Sequence, residues 1–127
     1  MNKATKAIIF SKGKYLLQLR DKNLKISYPN TWGFFGGMME DYETPEECIN
    51  RELMEELNVR SKIIKEDKVS IHKISNCKHF FFQMKILDKI YLKNLNEGQA
   101  FGWFTKEEIK KLSRSWELDE YFNFKLN

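Results

Sequence analysis

Apolar and polar positions alternate with a strand period in several short runs, and with a helix period in one central stretch. Lys3 to Phe10 is a β-type run. Ser11-Lys12-Gly13-Lys14 reads as a turn. Tyr15 to Arg20 resumes the β pattern, with Tyr15, Leu17 and Leu19 on one face, so the two runs predict a hairpin. Arg20-Asp21-Lys22 opens a polar loop that reaches Pro29-Asn30, and a loop of that length in a small domain is often functional. Thr31-Trp32-Gly33-Phe34-Phe35 is a short aromatic strand leading into a glycine turn, Gly36-Gly37.

The central stretch runs from Gly36 to Val59. After the acidic loop Glu40-Asp41-Tyr42-Glu43, Thr44 offers an N-cap, Pro45 suits the first helical position and Glu47 completes a capping box. Glu47 and Arg51 form a favourable (i, i+4) pair. Asn58 is the expected stop, because Asn tolerates the left-handed cap conformation. Beyond it, Val69 to Ile74 and His79 to Ile86 are strand candidates. In the second, Phe80, Phe82, Met84 and Ile86 alternate with His79, Phe81, Gln83 and Lys85. Asn94 to Gly98 is loop and Ala100 to Phe104 a last short strand. Thr105 caps a helix with Glu108 as box partner and Ile109 and Leu112 facing inward, and an aromatic helix spans Trp116 to Phe122. No repeat, linker or low-complexity tract interrupts residues 1–127, which predicts one domain.

Charge changes this picture in one place. The chain is basic, with a formal net charge of +4, yet eight of its eighteen acidic residues lie between Gly36 and Val59. On a helical wheel of roughly 100° per residue with Ile49 at zero, Leu53 falls near 40° and Leu57 near 80°, which defines a core stripe. Glu56 falls near about −20°, Glu52 near −60° and Glu55 near −120° on the same wheel. The carboxylates thus begin at the edge of the buried stripe instead of opposite it. Surface glutamates chosen for helix propensity would have basic neighbours four residues away. Glu52 has Glu56 there, and only Glu55 has a basic residue, Arg51, in the weaker order. Crowded like charges call for a cation, and Mg²⁺ takes a few carboxylates together with phosphate oxygens and water.

The spacing Gly37-x5-Glu43-x7-Arg51-Glu52-Leu53-x-Glu55-Glu56-x-Asn58-Val59 closely resembles the Nudix box, Gly-x5-Glu-x7-Arg-Glu-U-x-Glu-Glu-x-Gly-U, where U is a bulky aliphatic residue. One fixed position differs, since Asn58 stands where the family has Gly. Outside the strict pattern Phe35 replaces a common Pro and Tyr42 a common Gly. The chain therefore resembles the Nudix hydrolases, that is, the MutT-like nucleotide pyrophosphohydrolases. The resemblance implies an α/β fold, an α/β/α sandwich around a mixed central sheet. It implies a Mg²⁺- or Mn²⁺-dependent hydrolase acting on acid anhydrides in phosphorus-containing compounds. Water would attack phosphorus and break the diphosphate link of a nucleoside tri- or diphosphate derivative. It further implies that Glu52, Glu55 and Glu56 hold the metal with the Gly37 carbonyl, and that Glu52 or Glu56 orients or deprotonates the water. Arg51 and Glu43 would brace the loop against the helix, and Asn58 would close the motif.

Outside the box, Arg20 could hold a phosphate and Trp32 or Phe35 could stack on a base. Glu97 could add a carboxylate to the metal site. His72 and His79 lack a metal partner at ligand spacing and read as strand or surface residues. Cys48, near about −100° on the wheel, reads as a packed thiol. Two cysteines without CxxC spacing fit reduced thiols of a cytoplasmic protein. No apolar run is long enough for a secretory signal or a membrane span. The expected partner is a small nucleotide-type diphosphate, with neither membrane nor nucleic acid, and self-association as a homodimer is compatible with the sequence. Two alternatives stand beside the leading reading: a nucleotide-sugar hydrolase, and a nucleotide-sensing binding or regulatory module that does not cleave. The intact run of Arg51, Glu52, Glu55 and Glu56 argues against the module, which has no need of every ligand.

Overall fold

The computed structural model describes residues 1–20, 30–91 and 100–124. Its elements run β1 (Asn2–Ile8), β2 (Phe10–Ser11), β3 (Lys14–Leu19), β4 (Trp32–Gly33), β5 (Phe35–Met38), α1 (Pro45–Leu57), β6 (Ser61–His72), β7 (Cys77–Ile86), β8 (Ala100–Phe104), α2 (Lys106–Ile109) and α3 (Trp116–Phe122). One mixed sheet has the order β5-β1-β7-β6, with β1 and β7 parallel and the other pairs antiparallel. In the second sheet β3 pairs with β2, β4 and β8.

Consecutive residues of the strands point to opposite faces, and here both faces are buried. Ala7, Ile9, Leu16, Phe35, Phe82 and Met84 pack with Ile49, Leu53 and Leu57 of α1 in one core. Ile8, Leu17, Phe34 and Phe81 pack with Ile109, Leu118 and Phe122 in a second. Two cores on the two faces of the strands make an α/β/α sandwich, the architecture the resemblance implies.

Four local expectations are corrected. The hairpin over Lys3 to Arg20 is confined to β2 and β3, because the chain leaves the first sheet after Ile8. Gly36 and Gly37 are not a turn. They lie within β5, which pairs with β1 through Thr5↔Gly37 and Lys6↔Gly36. The strand expected from Val69 begins at Ser61 and ends at His72, and two register shifts, at Ile63/Lys65 and Glu66/Lys68, break the alternation that would have revealed its first half. Glu47 does not pair with Arg51. Its carboxylate accepts from the Thr44 N–H at 2.9 Å, while Arg51 turns to other partners.

Helix α1 starts and stops where its caps dictate. The Thr44 hydroxyl accepts from the Glu47 N–H at 3.1 Å, closing the box. Asn58 adopts φ 53° and its N–H donates to the Met54 carbonyl at 3.0 Å. The Thr105/Glu108 box is also present at α2. Among the described residues no helix is long and apolar enough to cross a membrane.

Candidate active site

Strand β5 is the edge of the first sheet, and α1 packs beside it. Gly36 has φ 145°, and a Cβ there would drive into the Thr5 carbonyl. A Cβ on Gly37 would lie 2.5 Å from the Glu52 carboxyl carbon. The missing side chain at Gly37 therefore lets Glu52 lie against the strand.

The three glutamates emerge from burial in the order the wheel predicts. Glu56 is 2% exposed, whereas the Glu52 and Glu55 side chains are 13% and 57% exposed. Glu56 is turned inward, accepting from the Gly36 N–H at 3.1 Å and from Gln18 Nε2 at 3.2 Å. Glu52 and Glu55 instead line a cleft of about 760 Å³ together with Gly36, Gly37 and Met38.

Arg51 occupies the centre of this acidic array, so the acids are less bare than the sequence suggests. Its Nε and Nη2 donate to Glu43 at 2.6 and 2.9 Å, and Nη2 also donates to the Met38 carbonyl at 3.2 Å. Its Nη1 donates to Glu52 at 3.0 Å and to Glu55 at 3.1 Å. These bonds hold the Glu43 carboxyl well below its ordinary range, at about 2. Glu40 lies 3.8 Å from the same guanidinium. One cation thus faces four carboxylates, and the local balance stays negative.

The donor set suits a hard divalent cation. Arg51 Nη1 touches Glu52 and Glu55 at once, so one positive centre can reach both carboxylates. The Gly37 carbonyl receives only long contacts, from Thr5 Oγ1 at 3.5 Å and Cys48 Sγ at 3.7 Å. Among the described residues no three His, Cys, Asp or Glu side chains converge on one point. The inward turn of Glu56 accounts for the missing third carboxylate.

Cys48 is buried between α1 and the first sheet, 3.2 Å from Thr5 Oγ1, and burial pushes its thiol up to about 11. Both cysteines are free and buried, in keeping with a packed thiol.

The residues expected to bind substrate divide. Arg20 lines the cleft. Phe35 does not, because it is fully buried in the α1 core. Trp32 packs edge-on against Phe104 at 4.8 Å, and its backbone bonds to Ser113 and Ser115. Neither is among the residues that line the cleft. Glu97 and the loop from 21 to 29 lie outside the described residues, as does the expected loop from Asn94 to Gly98.

The far half of the cleft was not foreseen. Lys6, His72, His79, Ser115, Trp116 and Glu117 line it. His72 stacks on Trp116 at 4.4 Å, and His79 approaches the same indole at 5.0 Å. His79 Nδ1–H donates to the Cys77 carbonyl at 3.2 Å. Burial and the neighbouring Lys6 lower the His79 pKa, which keeps the imidazole neutral at pH 7. One signal was available: Lys6 is a charged residue in β1, a strand paired on both sides.

Comparison with known proteins gives one family. The NUDIX domain model matches residues 2–124. A NUDIX hydrolase from Nitrosomonas europaea is 28% identical with a TM-score of 0.68, over 85% of this chain. The chain spans 59% of that protein's length. The ORF135 protein of E. coli is 25% identical with a TM-score of 0.73, over 97% of this chain and 89% of its own. A MutT NUDIX hydrolase from Burkholderia pseudomallei shares the fold at 18% identity and a TM-score of 0.76, over 96% and 95% of the two chains.

Proposed function

The chain belongs to the NUDIX domain family, and on that premise we propose that it is a pyrophosphohydrolase dependent on Mg²⁺ or Mn²⁺. It cleaves the diphosphate link of a nucleoside tri- or diphosphate derivative by attack of water on phosphorus. The observation that carries this reading is the pair Glu52 and Glu55. Both carboxylates reach one cationic centre at the rim of a cleft large enough for a nucleotide.

Glu52 and Glu55 would hold the metal ion, with the Gly37 carbonyl as a further oxygen donor, and Glu56 would join them by exchanging its bonds with the Gly36 N–H and Gln18 for the ion. When bound, such an ion neutralises phosphate oxygens and lowers the pKa of its water. The remaining work falls to the chain. Glu43 anchors Arg51, and Arg51 holds Glu52 and Glu55 in position. Gly37, lacking a side chain, leaves room for the Glu52 carboxylate against β5. Glu52, on the cleft and only partly exposed, accepts the proton of the attacking water. Arg20, lining the same cleft, draws the leaving phosphate. A helix holds the carboxylates more rigidly than a loop would.

The test is a panel of nucleoside triphosphates, nucleoside diphosphate sugars and dinucleoside polyphosphates, incubated with purified protein and Mg²⁺, with the released products identified. Metal-dependent release of a phosphate or pyrophosphate product is expected. A ligand that raises thermal stability without being cleaved anywhere in the panel would instead favour the sensing module.

A further inference from the structure

Gln18 interrupts an apolar face. Strand β3 presents Leu16 to the core beneath α1, and the two-residue period of a strand puts Gln18 on the same side. The residue is buried, at 6% exposure. A leucine there would extend the core, whereas a buried amide costs stability unless it is bonded. Its Nε2 donates to Glu56 Oε2 at 3.2 Å. That bond ties the second sheet to α1 across 38 positions of the chain.

The donor is firmly held. Gln18 stands opposite Gly33 of β4 and Phe101 of β8, so its strand is paired on both sides. The other Glu56 oxygen accepts from the Gly36 N–H of β5 at 3.1 Å. Two neutral donors from two strands thus draw this carboxylate inward, while Glu52 and Glu55 face the cleft. Of the two donors, only Gln18 acts through its side chain.

We propose that Gln18 is a positioning residue: it restrains Glu56 in the metal-free protein and so sets how tightly the site takes a divalent cation. This rests on the reading of Glu52, Glu55 and Glu56 as the residues that hold the ion. Glu56 joins them only by giving up its inward bonds. A bond made in the metal-free state alone opposes binding, because a ligand shifts an equilibrium only through its preference for one state. A hydrogen bond to a charged group is also stronger than one between neutral groups. Deleting the amide therefore destabilises the metal-free protein and tightens its hold on the cation. A Gln that only filled the core would leave both states equally weakened when replaced.

The experiment titrates the full chain with Mn²⁺ alone, following the free ion by electron paramagnetic resonance, in wild type, Gln18→Met and Gln18→Asn. Met keeps the length of the side chain without the donor. Asn keeps the amide but is one methylene shorter, which withdraws it from Glu56. Expected is a Kd for Mn²⁺ about tenfold lower in Gln18→Met, and a lowered Kd in Gln18→Asn. Without metal, both variants should unfold at a lower Tm than wild type, and that deficit should shrink as Mn²⁺ is added. Unchanged or weaker Mn²⁺ binding overturns the proposal, as does a Tm deficit that is the same with and without Mn²⁺. Circular dichroism checks folding, and Gln18→Asn decides by the same measurements if Gln18→Met does not fold. Mn²⁺ taken up by neither wild type nor variants overturns the metal-site reading together with this one. Equal uptake by all three proteins overturns this one alone.

Discussion

Arg51 grips Glu43 with two nitrogens, Nε at 2.6 Å and Nη2 at 2.9 Å, and so ties the acidic loop to the flank of α1. The pair has a pH signature. Glu43 is held at about 2 against an ordinary 4.5 by its bonds with Arg51. A depressed carboxyl adds stability that is complete above its unfolded pKa and is lost as pH falls through the folded one. Urea unfolding of wild type should therefore weaken between pH 4.5 and 2, and Glu43→Gln should flatten that decline. An identical acid profile in the variant would remove Glu43 from the account. At pH 7, Arg51→Ala should cost about 2 kcal/mol, since it strands a half-buried carboxylate.

Glu52→Gln keeps the shape of the side chain but removes its charge and basicity. Turnover with Mg²⁺ should fall by about 10²-fold or more, with the circular dichroism spectrum unchanged. Chelation with EDTA should silence the wild type to the same level, and added Mg²⁺ should restore only the wild type. Undiminished turnover in the variant would end the assignment of Glu52.

The two glycines of β5 should fail differently. Gly36→Ala meets the Thr5 carbonyl at a φ of 145°, so the backbone itself must shift. A loss of about 3 kcal/mol is expected, read by urea denaturation. Gly37→Ala meets the carboxylate of Glu52, a side chain that can rotate away. Its stability should change less while turnover drops. If both variants lost stability alike and Gly37→Ala retained full turnover, the cradle for Glu52 would have no functional meaning.

Tyr42 and Asn58, two positions where the resembled family commonly carries glycine, both have left-handed backbones here, with φ of 65° and 53°. Tyr42 is fully exposed, so glycine there sacrifices no packing. Tyr42→Gly should raise stability by about 1 kcal/mol, the relief of a left-handed residue with a bulky side chain. Asn58→Gly should gain only a few tenths of a kcal/mol, because Asn already tolerates that cap. Thermal denaturation of the two single variants checks the ranking. A larger gain at Asn58 would contradict it.

Local features were legible because they depend on neighbours in the chain. The Thr44/Glu47 and Thr105/Glu108 boxes, the Asn58 stop and the span Trp116–Phe122 all follow from contacts within a turn or two. The order of burial of Glu56, Glu52 and Glu55 followed from helix geometry alone. The early half of β6 was hidden because its bulges break the two-residue period. Phe35 and Trp32 stood as candidates to stack on a base, since a sequence does not separate an aromatic at a site from one in the core.

The sequence by itself determined the ingredients of the candidate site: a spaced set of carboxylates on one helix, an Arg among them, and glycines beside them. Only the tertiary structure decided how those charges are apportioned. It turned Glu56 inward onto Gly36 and Gln18, brought Arg51 to Glu43, and set Lys6 of β1 against Glu117 of α3. The reason is that helix angle and capping are fixed by residues a few positions apart. The far wall of the cleft is built from residues distant in the chain, with Lys6 on β1, His72 on β6, His79 on β7 and Glu117 on α3, and their meeting depends on sheet order and on the packing of both faces.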